Sequence, residues 1–435
     1  MTDPQFGLMA IALLFVLIAI RMPLAVALTG VPFVGIWYLI SWNAAIGSLK
    51  IIPYNFAANW HLSSVPMFLL MGYLAYHTGI TKGLFRAARM WLSRLPAGLA
   101  IASIMGASGF SAVTGSSVAC AAAMGKIAVP EMLRSNYSPS LATGTVAAAG
   151  TIGALIPPSI LFIIYGIIAQ VPVGDLFIGG AVAGMLTALS YIAVVVLWAK
   201  FDPSAAPKVE EHFPLSDMLS SLLEVLPVVL LAVLVFGGLF AGLFTPTEAG
   251  AVGALLCLLI ALFQGKLSWD SFRRSVVESF STSAAIFAIA IGANLLTRFV
   301  ALSGADDYIS DVLVGVTTNT ALLMLMIVAL YLVLGMFLDP LGAMLLTLPI
   351  LLPIVQEQQL SLLWFGIILG KLLEVGMITP PVGLNVFVLK SVVSKDIAIG
   401  TIFKGVVWFL LADVVVITAL IVFPDLVLYL PSLTD

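Results

Sequence analysis

AGLAIASIMGASGFSAVTGSSVACAAAMGKIAVPEMLR, residues 97–134, is predominantly apolar over 38 positions, yet its centre is the polar cluster Thr114-Gly115-Ser116-Ser117. A single helix crossing a bilayer needs only ~20 residues. Backbone groups at membrane depth must be satisfied by a helix, by surrounding protein or by a water-filled cavity. The stretch therefore reads as a helical hairpin that enters and leaves the membrane on one side, with Ser and Thr at its tip.

Apolar segments flank this hairpin on both sides, near 6–21, 24–41, 64–80, 139–170 and 175–199. A second series follows at 221–244, 246–263, 279–300, 320–355, 361–392 and 399–423, in which 320–355 is again too long for one crossing. A shift of 223 positions superposes the two series and aligns Pro23 with Pro246, Pro130 with Pro353, and Pro157-Pro158 with Pro380-Pro381. Gly30 falls on Gly253 and Gly153 on Gly376 under the same shift. Helix breakers fix backbone geometry in a membrane, so their recurrence carries structural information. The expectation is an all-α polytopic membrane protein with two repeats, 1–212 and 213–435, each having five crossings and one re-entrant hairpin. An odd number of crossings inverts the second copy, the inverted-repeat plan of many secondary transporters.

Composition agrees. The chain's 435 residues are 62% hydrophobic and 9% charged, with a mean hydropathy of +1.18, too few charges to cover a soluble surface. With the N-terminus outside, Arg21, Lys82, Arg86, Arg89, Arg94, Arg134, Lys200 and Lys208 fall on the cytoplasmic side, as do Lys266, Arg273, Arg274, Lys390, Lys395 and Lys404. Lys50 and Arg298 fall outside, and Lys126 and Lys371 lie within apolar segments. The bias obeys the positive-inside rule and predicts a periplasmic N-terminus. Residues 81–95 predict an amphipathic helix on the cytoplasmic surface, and the acidic stretch Gly304–Thr318, with Asp306, Asp307 and Asp311, its outer counterpart. The N-terminus lacks the basic region of a cleaved signal, so the first segment is expected to remain as a span.

Hairpin tips and broken helices mark the places where ions and substrates bind in such architectures. At the first tip, Thr114, Gly115, Ser116 and Ser117 offer hydroxyls and carbonyls suited to a small hard cation such as Na⁺. The alternative is that Ser116 and Ser117 only cap the returning helix. The opposing tip, Gly335 to Pro340, carries Asp339, a carboxylate at membrane depth and thus a candidate cation ligand. Asp339 followed by Pro340 also fits an ordinary helix N-cap.

The proline breaks 153–159 and 376–385 face these tips, and two successive prolines cannot continue a helix. Freed carbonyls there suit a cation, and N–H groups beyond the break suit an anion. Ser159, Asn385 and Arg298 are accordingly candidate substrate contacts, Arg298 because a guanidinium grips a carboxylate with two parallel hydrogen bonds. A simple kink and a headgroup-anchored arginine are the competing readings. Glu248 and Glu374 are further carboxylates in apolar segments. His61, His77 and His212 have no metal-ligand spacing, and Cys120 and Cys257 imply no disulfide framework. No ATP-binding loop occurs: Gly366 to Leu372 has the wrong spacing and lacks the Ser/Thr for Mg²⁺, which points to an ion gradient as the driving force.

SGFSAVTGSSVACAAAMGKIAVPEM (108–132), YSPSLATGTVAAAGTIGALIPPSI (137–160), FTPTEAGAVGA (244–254) and EVGMITPPVGLNVFV (374–388) resemble the large membrane subunit, DctM type, of tripartite ATP-independent periplasmic (TRAP) transporters. The resemblance runs along essentially the whole chain. It implies a bacterial inner-membrane, sodium-coupled elevator importer of organic acids, with no cofactor other than the coupling Na⁺. It also implies two partners: a small four-helix membrane subunit of Q type and a periplasmic substrate-binding protein, with membrane lipid around them and no nucleic acid. No four-helix segment leads this chain, so the small subunit is expected on a separate polypeptide.

Carried onto these residues, the resemblance implies a first sodium site at Thr114, Gly115, Ser116 and Ser117 with Ile156 and Pro157. The second would use Gly335 and Asp339 with Gly376, Thr379 and Pro380. Cys120 stands where the family leads one to expect Thr, and Asn136 where Gly is usual before Tyr137. The rival readings are a stand-alone elevator-type sodium/dicarboxylate symporter and, further off, a channel. An intramembrane enzyme finds no Ser-His pair or metal motif to support it.

Overall fold

The computed structural model describes residues 3–207, 213–309 and 319–433 and is helical throughout, with no strand among the described residues. Seven of the described helices are long and apolar enough to cross a membrane, including Val173–Phe201 (α10), Leu215–Phe240 (α11), Pro246–Phe263 (α12) and Ile399–Val422 (α18).

The first half begins with Asp3–Ala19 (α1) and Leu24–Leu39 (α2). Trp42–Ala57 (α3) was not anticipated, because Pro53 and the polar residues Asn43, Ser48, Lys50 and Asn55 hide its periodicity. Ser64–Thr78 (α4) follows, and then Lys82–Leu92 (α5). In the second half, the region matching α3 and α4 is one continuous helix of 35 residues, Trp269–Ser303 (α13), longer than the expected 279–300. No proline interrupts it, whereas Asn59 caps a short 3-10 turn, Trp60–Ser63, that separates α3 from α4.

The long apolar stretches are each two helices. Gly98–Thr114 (α6) meets Ser117–Arg134 (α7), and Thr320–Phe337 (α14) meets Pro340–Glu357 (α15). The two interrupted segments likewise resolve into helix pairs, Pro139–Gly150 (α8) with Ile160–Ala169 (α9), and Leu362–Gly376 (α16) with Leu384–Val392 (α17). Asp425–Leu428 (α19) is the last α-helix described, and a 3-10 turn, Pro431–Leu433, follows it. The proline pairs Pro157-Pro158 and Pro380-Pro381 are both joined by cis peptide bonds. Shifted by 223, α6, α7, α8 and α9 fall on α14, α15, α16 and α17 with ends that agree within three residues.

The interrupted helices occupy the middle of the molecule. Helix α8 packs against α6, α7 and α18, while α16 packs against α14, α15, α10 and α9. A second layer, α2, α4, α12 and α13, stands beside them. The α8–α18 contact is a close one between glycines: a Cβ on Gly144 would lie 2.5 Å from the Gly405 carbonyl carbon. The anticipated surface helix is present as α5. It links α11 to α7, with Arg86 paired to Glu224 of α11 at 2.8 Å and Arg89 to Glu131 of α7 at 2.7 Å. Of its acidic counterpart only 304–309 are described, of which 305–309 are helical; Lys208, His212, Asp311 and the 212/213 repeat boundary lie outside or at the edge of the described residues.

One polar cluster is buried in this packing. Lys371 of α16 donates to Asp413 of α18, and the Tyr191 hydroxyl of α10 donates to both Asp413 oxygens at 2.9 Å. Both Lys371 and Asp413 are 0% exposed, and the Lys371 ammonium lies 5.5 Å from the centre of the Tyr191 ring. Thr151, at the first residue after α8, reaches the Tyr191 hydroxyl at 3.2 Å. Three helices and the first break are thereby tied together at one point.

Two outcomes follow. Gly144→Val should cost about 1–3 kcal/mol of stability through overpacking and lower the thermal unfolding midpoint in detergent, whereas Gly30→Ala, with nothing within 4 Å of its added Cβ, should not. Asp413→Ala should cost more, about 3–5 kcal/mol, because it strands a buried ammonium. The double variant Lys371→Met/Asp413→Leu should recover most of that loss in the same melting experiment.

Candidate functional site

Each hairpin tip is built by capping. Gly115 ends α6 with φ +60°, a left-handed conformation that costs glycine nothing. Ser116 then caps α7, its Oγ accepting from Ala119 N at 3.3 Å. In the other hairpin Asp339 caps α15, its Oδ2 accepting from Gly342 N at 3.0 Å. Ser116 and Asp339 thus occupy matching positions and do the same local work. Capping leaves one Asp339 carboxylate oxygen outside that bond, in an exposed residue.

Each tip also docks on a break. A Cβ on Gly115 would lie 2.7 Å from the Pro158 carbonyl oxygen, and one on Gly153 would lie 2.7 Å from Ser111 Oγ. In the second half Gly335 and Gly376 bring their backbones together, a Cβ on either meeting the other's Cα at 2.6–2.8 Å. The two breaks differ in surroundings. Pro157, Pro158 and Ser159 are buried in protein, whereas Pro380 and Pro381 are exposed.

Both tips open on one cavity of about 340 Å³. Thr114, Gly115, Ser116 and Ser117 line one part of it, Asp339, Pro340 and Leu341 another, and Glu374 and Met377 close it from α16 and the turn after it. The facing wall comes from the second layer, through Leu69, Gly72, Tyr73 and Tyr76 of α4 and Thr282 and Ile286 of α13. That wall is pinned by Tyr73 to Thr282 at 2.9 Å and by His77 to Glu278 at 3.0 Å. Gly72 lets α4 approach the tip, since a Cβ there would stand 3.0 Å from the Thr114 carbonyl oxygen. A second cavity, of about 850 Å³, is lined by Trp60, His61, Gln170, Asp175 and Thr245 among others and holds none of the expected site residues.

The sequence-based candidates divide accordingly. Thr114, Gly115, Ser116, Ser117 and Asp339 share the first cavity. Gly335 and Gly376 lie behind it as packing surfaces, and Thr379 turns its hydroxyl back to Val375 O at 2.7 Å. Ile156, Pro157 and Pro380 do not line the cavity. Ser159 caps α9 by accepting from Phe162 N at 3.3 Å, and it is fully buried. Asn385 is fully buried too, its amide side chain without a hydrogen-bond partner among the described residues. Arg298 is exposed on α13, lines neither cavity and has no ion-pair partner among the described residues, a placement suited to headgroup anchoring. Glu248 completes a capping box with Thr245 at the start of α12.

Glu374 was noted in the sequence without a role, and the structure gives it one. Ser117 Oγ donates to Glu374 Oε2 at 2.5 Å, joining the first hairpin tip to the helix that precedes the second break. The partnership links the two halves of the chain, so no local motif announces it. Asp413 was overlooked altogether, although a lone carboxylate within FKGVVWFLLADVVVITALIVF is the kind of intramembrane charge that signals a partner. Cys120 is buried and its Sγ contacts Ala107 O at 3.5 Å, tying the two hairpin arms together. Asn136 has φ +60°, which explains why glycine suits that position.

The donor set is all oxygen: hydroxyls, freed carbonyls and carboxylates. Such a set fits Na⁺, and no cluster of three or more His, Cys, Asp or Glu exists among the described residues for a transition metal.

Comparisons with known proteins agree with this architecture. The family described as "Tripartite ATP-independent periplasmic transporter, DctM component" matches residues 11–426. The C4-dicarboxylate TRAP transporter large permease protein DctM of Pseudomonas aeruginosa is 32% identical, over 90% of this chain and 89% of its own length. The sialic acid TRAP transporter large permease protein SiaM of Vibrio cholerae is 30% identical, over 87% and 90%. The isethionate TRAP transporter permease protein DctMQ of Oleidesulfovibrio alaskensis is 33% identical over 81% of this chain, which spans only 56% of that longer protein. Among solved structures, the YdaH transporter of Alcanivorax borkumensis matches with a TM-score of 0.61 over 90% of each chain, at 15% identity, a likeness of fold alone. On the strength of the family match along residues 11–426, the chain belongs to the DctM family, the DctM component of tripartite ATP-independent periplasmic transporters.

Proposed function

We propose that this chain is the large membrane subunit of an inner-membrane transporter that takes up an organic acid anion at the expense of a Na⁺ gradient. The observation that carries the reading is the shared cavity onto which both hairpin tips open, a mostly apolar space into which the tips bring hydroxyls and a carboxylate. Its volume of about 340 Å³ falls in the range of small-molecule sites and matches a small anion with its coupling ions. The relatives point the same way, since isethionate, C4-dicarboxylates and sialic acid are all carried as anions.

Na⁺ supplies the positive charge that lets an anion leave water for such a site. Ser116, Ser117 and Asp339, with the freed carbonyls at the tips, are the residues that would hold it. The cavity also divides the molecule usefully, with tips and breaks on one side and α4 and α13 on the other. Sliding of the first group along the second would carry the cavity across the membrane, the elevator mode. The charge distribution favours a periplasmic N-terminus. A small membrane subunit and a periplasmic binding protein complete the system; the relative named DctMQ is consistent with such a subunit fused to its large partner.

The test is uptake into proteoliposomes containing this chain and its small subunit, with the binding protein outside and labelled C4-dicarboxylate, isethionate and sialic acid as probes. Saturable uptake of one anion that collapses when the Na⁺ gradient is dissipated is expected. Uptake that proceeds equally without Na⁺ would contradict the proposal.

Asp339 has both a capping and a binding role to separate. Asn caps as well as Asp, so Asp339→Asn should leave the melting temperature near wild type while raising the Na⁺ concentration for half-maximal uptake several-fold. Asp339→Ala should in addition lose about 1 kcal/mol of cap stability. An unchanged Na⁺ titration for Asp339→Asn would remove the carboxylate from the site.

A further inference from the structure

Glu374 is 1% exposed and lines the tip cavity, and its two oxygens are unequally provided for. Oε2 accepts the Ser117 hydroxyl at 2.5 Å; Oε1 is buried and has no hydrogen-bond partner among the described residues. An unpartnered carboxylate oxygen in a buried setting is costly, and it marks a place for a ligand, an ion or a water.

The basic residue nearest along the helix does not fill that need. Lys371, one turn before Glu374, donates to Asp413, which is also held by Tyr191. Both members of that pair are fully buried, so their charges cancel where they stand. Two carboxylates and one ammonium leave the ionised cluster with a net charge of -1, located on Glu374. Helix direction adds to the imbalance. Glu374 lies two residues from the C-terminal end of α16, where the helix dipole is negative and favours a cation. Ser117, at the first turn of α7, gives its proton to Oε2 and accepts no hydrogen bond on its hydroxyl oxygen among the described residues, which leaves lone pairs for a cation.

From this geometry we propose that Glu374 is the anionic ligand of the cation bound at the first hairpin tip, with its free Oε1 directed to the ion and Ser117 shared between them. The proposal deepens the sodium reading above and rests on it. It also changes what the sequence implies about the two sites. Instead of one tip with hydroxyls alone and one with a carboxylate, each cation would have its own carboxylate, Glu374 at the first tip and Asp339 at the second. The first site would then be completed across the two halves of the chain. Lys371, Asp413 and Tyr191 act as positioning residues that fix the α16 backbone from which Glu374 projects.

The test is equilibrium binding of ²²Na⁺ to the purified chain in detergent, with no substrate or partner, beside thermal unfolding with and without Na⁺. Wild type should bind saturably and be stabilised by Na⁺ but not by choline. Glu374→Gln should weaken binding at least tenfold and lose most of the Na⁺-induced rise in melting temperature. Glu374→Asp, which keeps the charge on a shorter arm, should recover part of the affinity and shift the preference between Li⁺ and Na⁺. Should Glu374→Gln fail to fold, the Asp variant decides alone: wild-type affinity and selectivity there would overturn the assignment. Equal ²²Na⁺ affinity in wild type and Glu374→Gln overturns the role of Glu374 and leaves sodium coupling intact. A wild-type chain that binds no Na⁺ overturns the sodium reading and this inference together.

Discussion

The end of an interrupted helix leaves backbone N–H and C=O groups without intrahelical partners, and inside a bilayer only protein or enclosed water can satisfy them. Four such interruptions occur here, two at hairpin tips and two at proline pairs, and the rest of the architecture is arranged around them. Ser116 and Asp339 each satisfy one orphan N–H by capping. Glycines at 115, 153, 335 and 376 allow each tip to press its backbone onto a break, which shields the remaining groups. The tip hydroxyls, Asp339 and Glu374 line the shared cavity, and those are the groups available to a cation.

Electrostatics then makes two similar halves unequal. The first break is enclosed and tied through Thr151 to the Tyr191–Asp413–Lys371 cluster, whereas the second is exposed and has no matching cluster among the described residues. Positions related by the 223-residue shift to Asp413, Glu374 and Lys371 are Ser190, Thr151 and Ala148, none of them charged. One half supplies the tip hydroxyls and the other supplies the charges that meet them. A site divided in this way ties its geometry to the relative placement of the two halves, which suits a protein whose ligand must be bound and released on opposite sides.

Much of the fold was legible because helix breakers and apolar length act locally. The boundaries 97–134, 320–355, 139–170 and 361–392 follow from a bilayer's thickness and from proline chemistry, and the helix ends lie close to them. Helix α3 escaped because a proline and four polar residues obscure its pattern, although it is folded against α2 and α13. At the site, hydroxyls, Asp339 and the glycine-proline breaks could be picked out by residue type. The Ser117–Glu374 bond joins residues 257 positions apart, and the Lys371–Asp413 pair joins α16 to α18. Such pairings arise only when helices pack, and spacing along the chain does not encode them. Arg298, chemically suited to a carboxylate, sits on an exposed helix face and lines neither cavity, a placement that residue type alone does not reveal.

Hydrogen exchange of the purified chain, compared in Na⁺ and in choline, addresses the central claim most directly, because it reads the backbone of both tips at once. If Na⁺ organises the shared cavity, amides at 115–119 and 338–342 should both gain protection in Na⁺, along with those at 374–379, while α11 and α12 stay unchanged. Protection that is identical in the two salts at both tips would contradict the account.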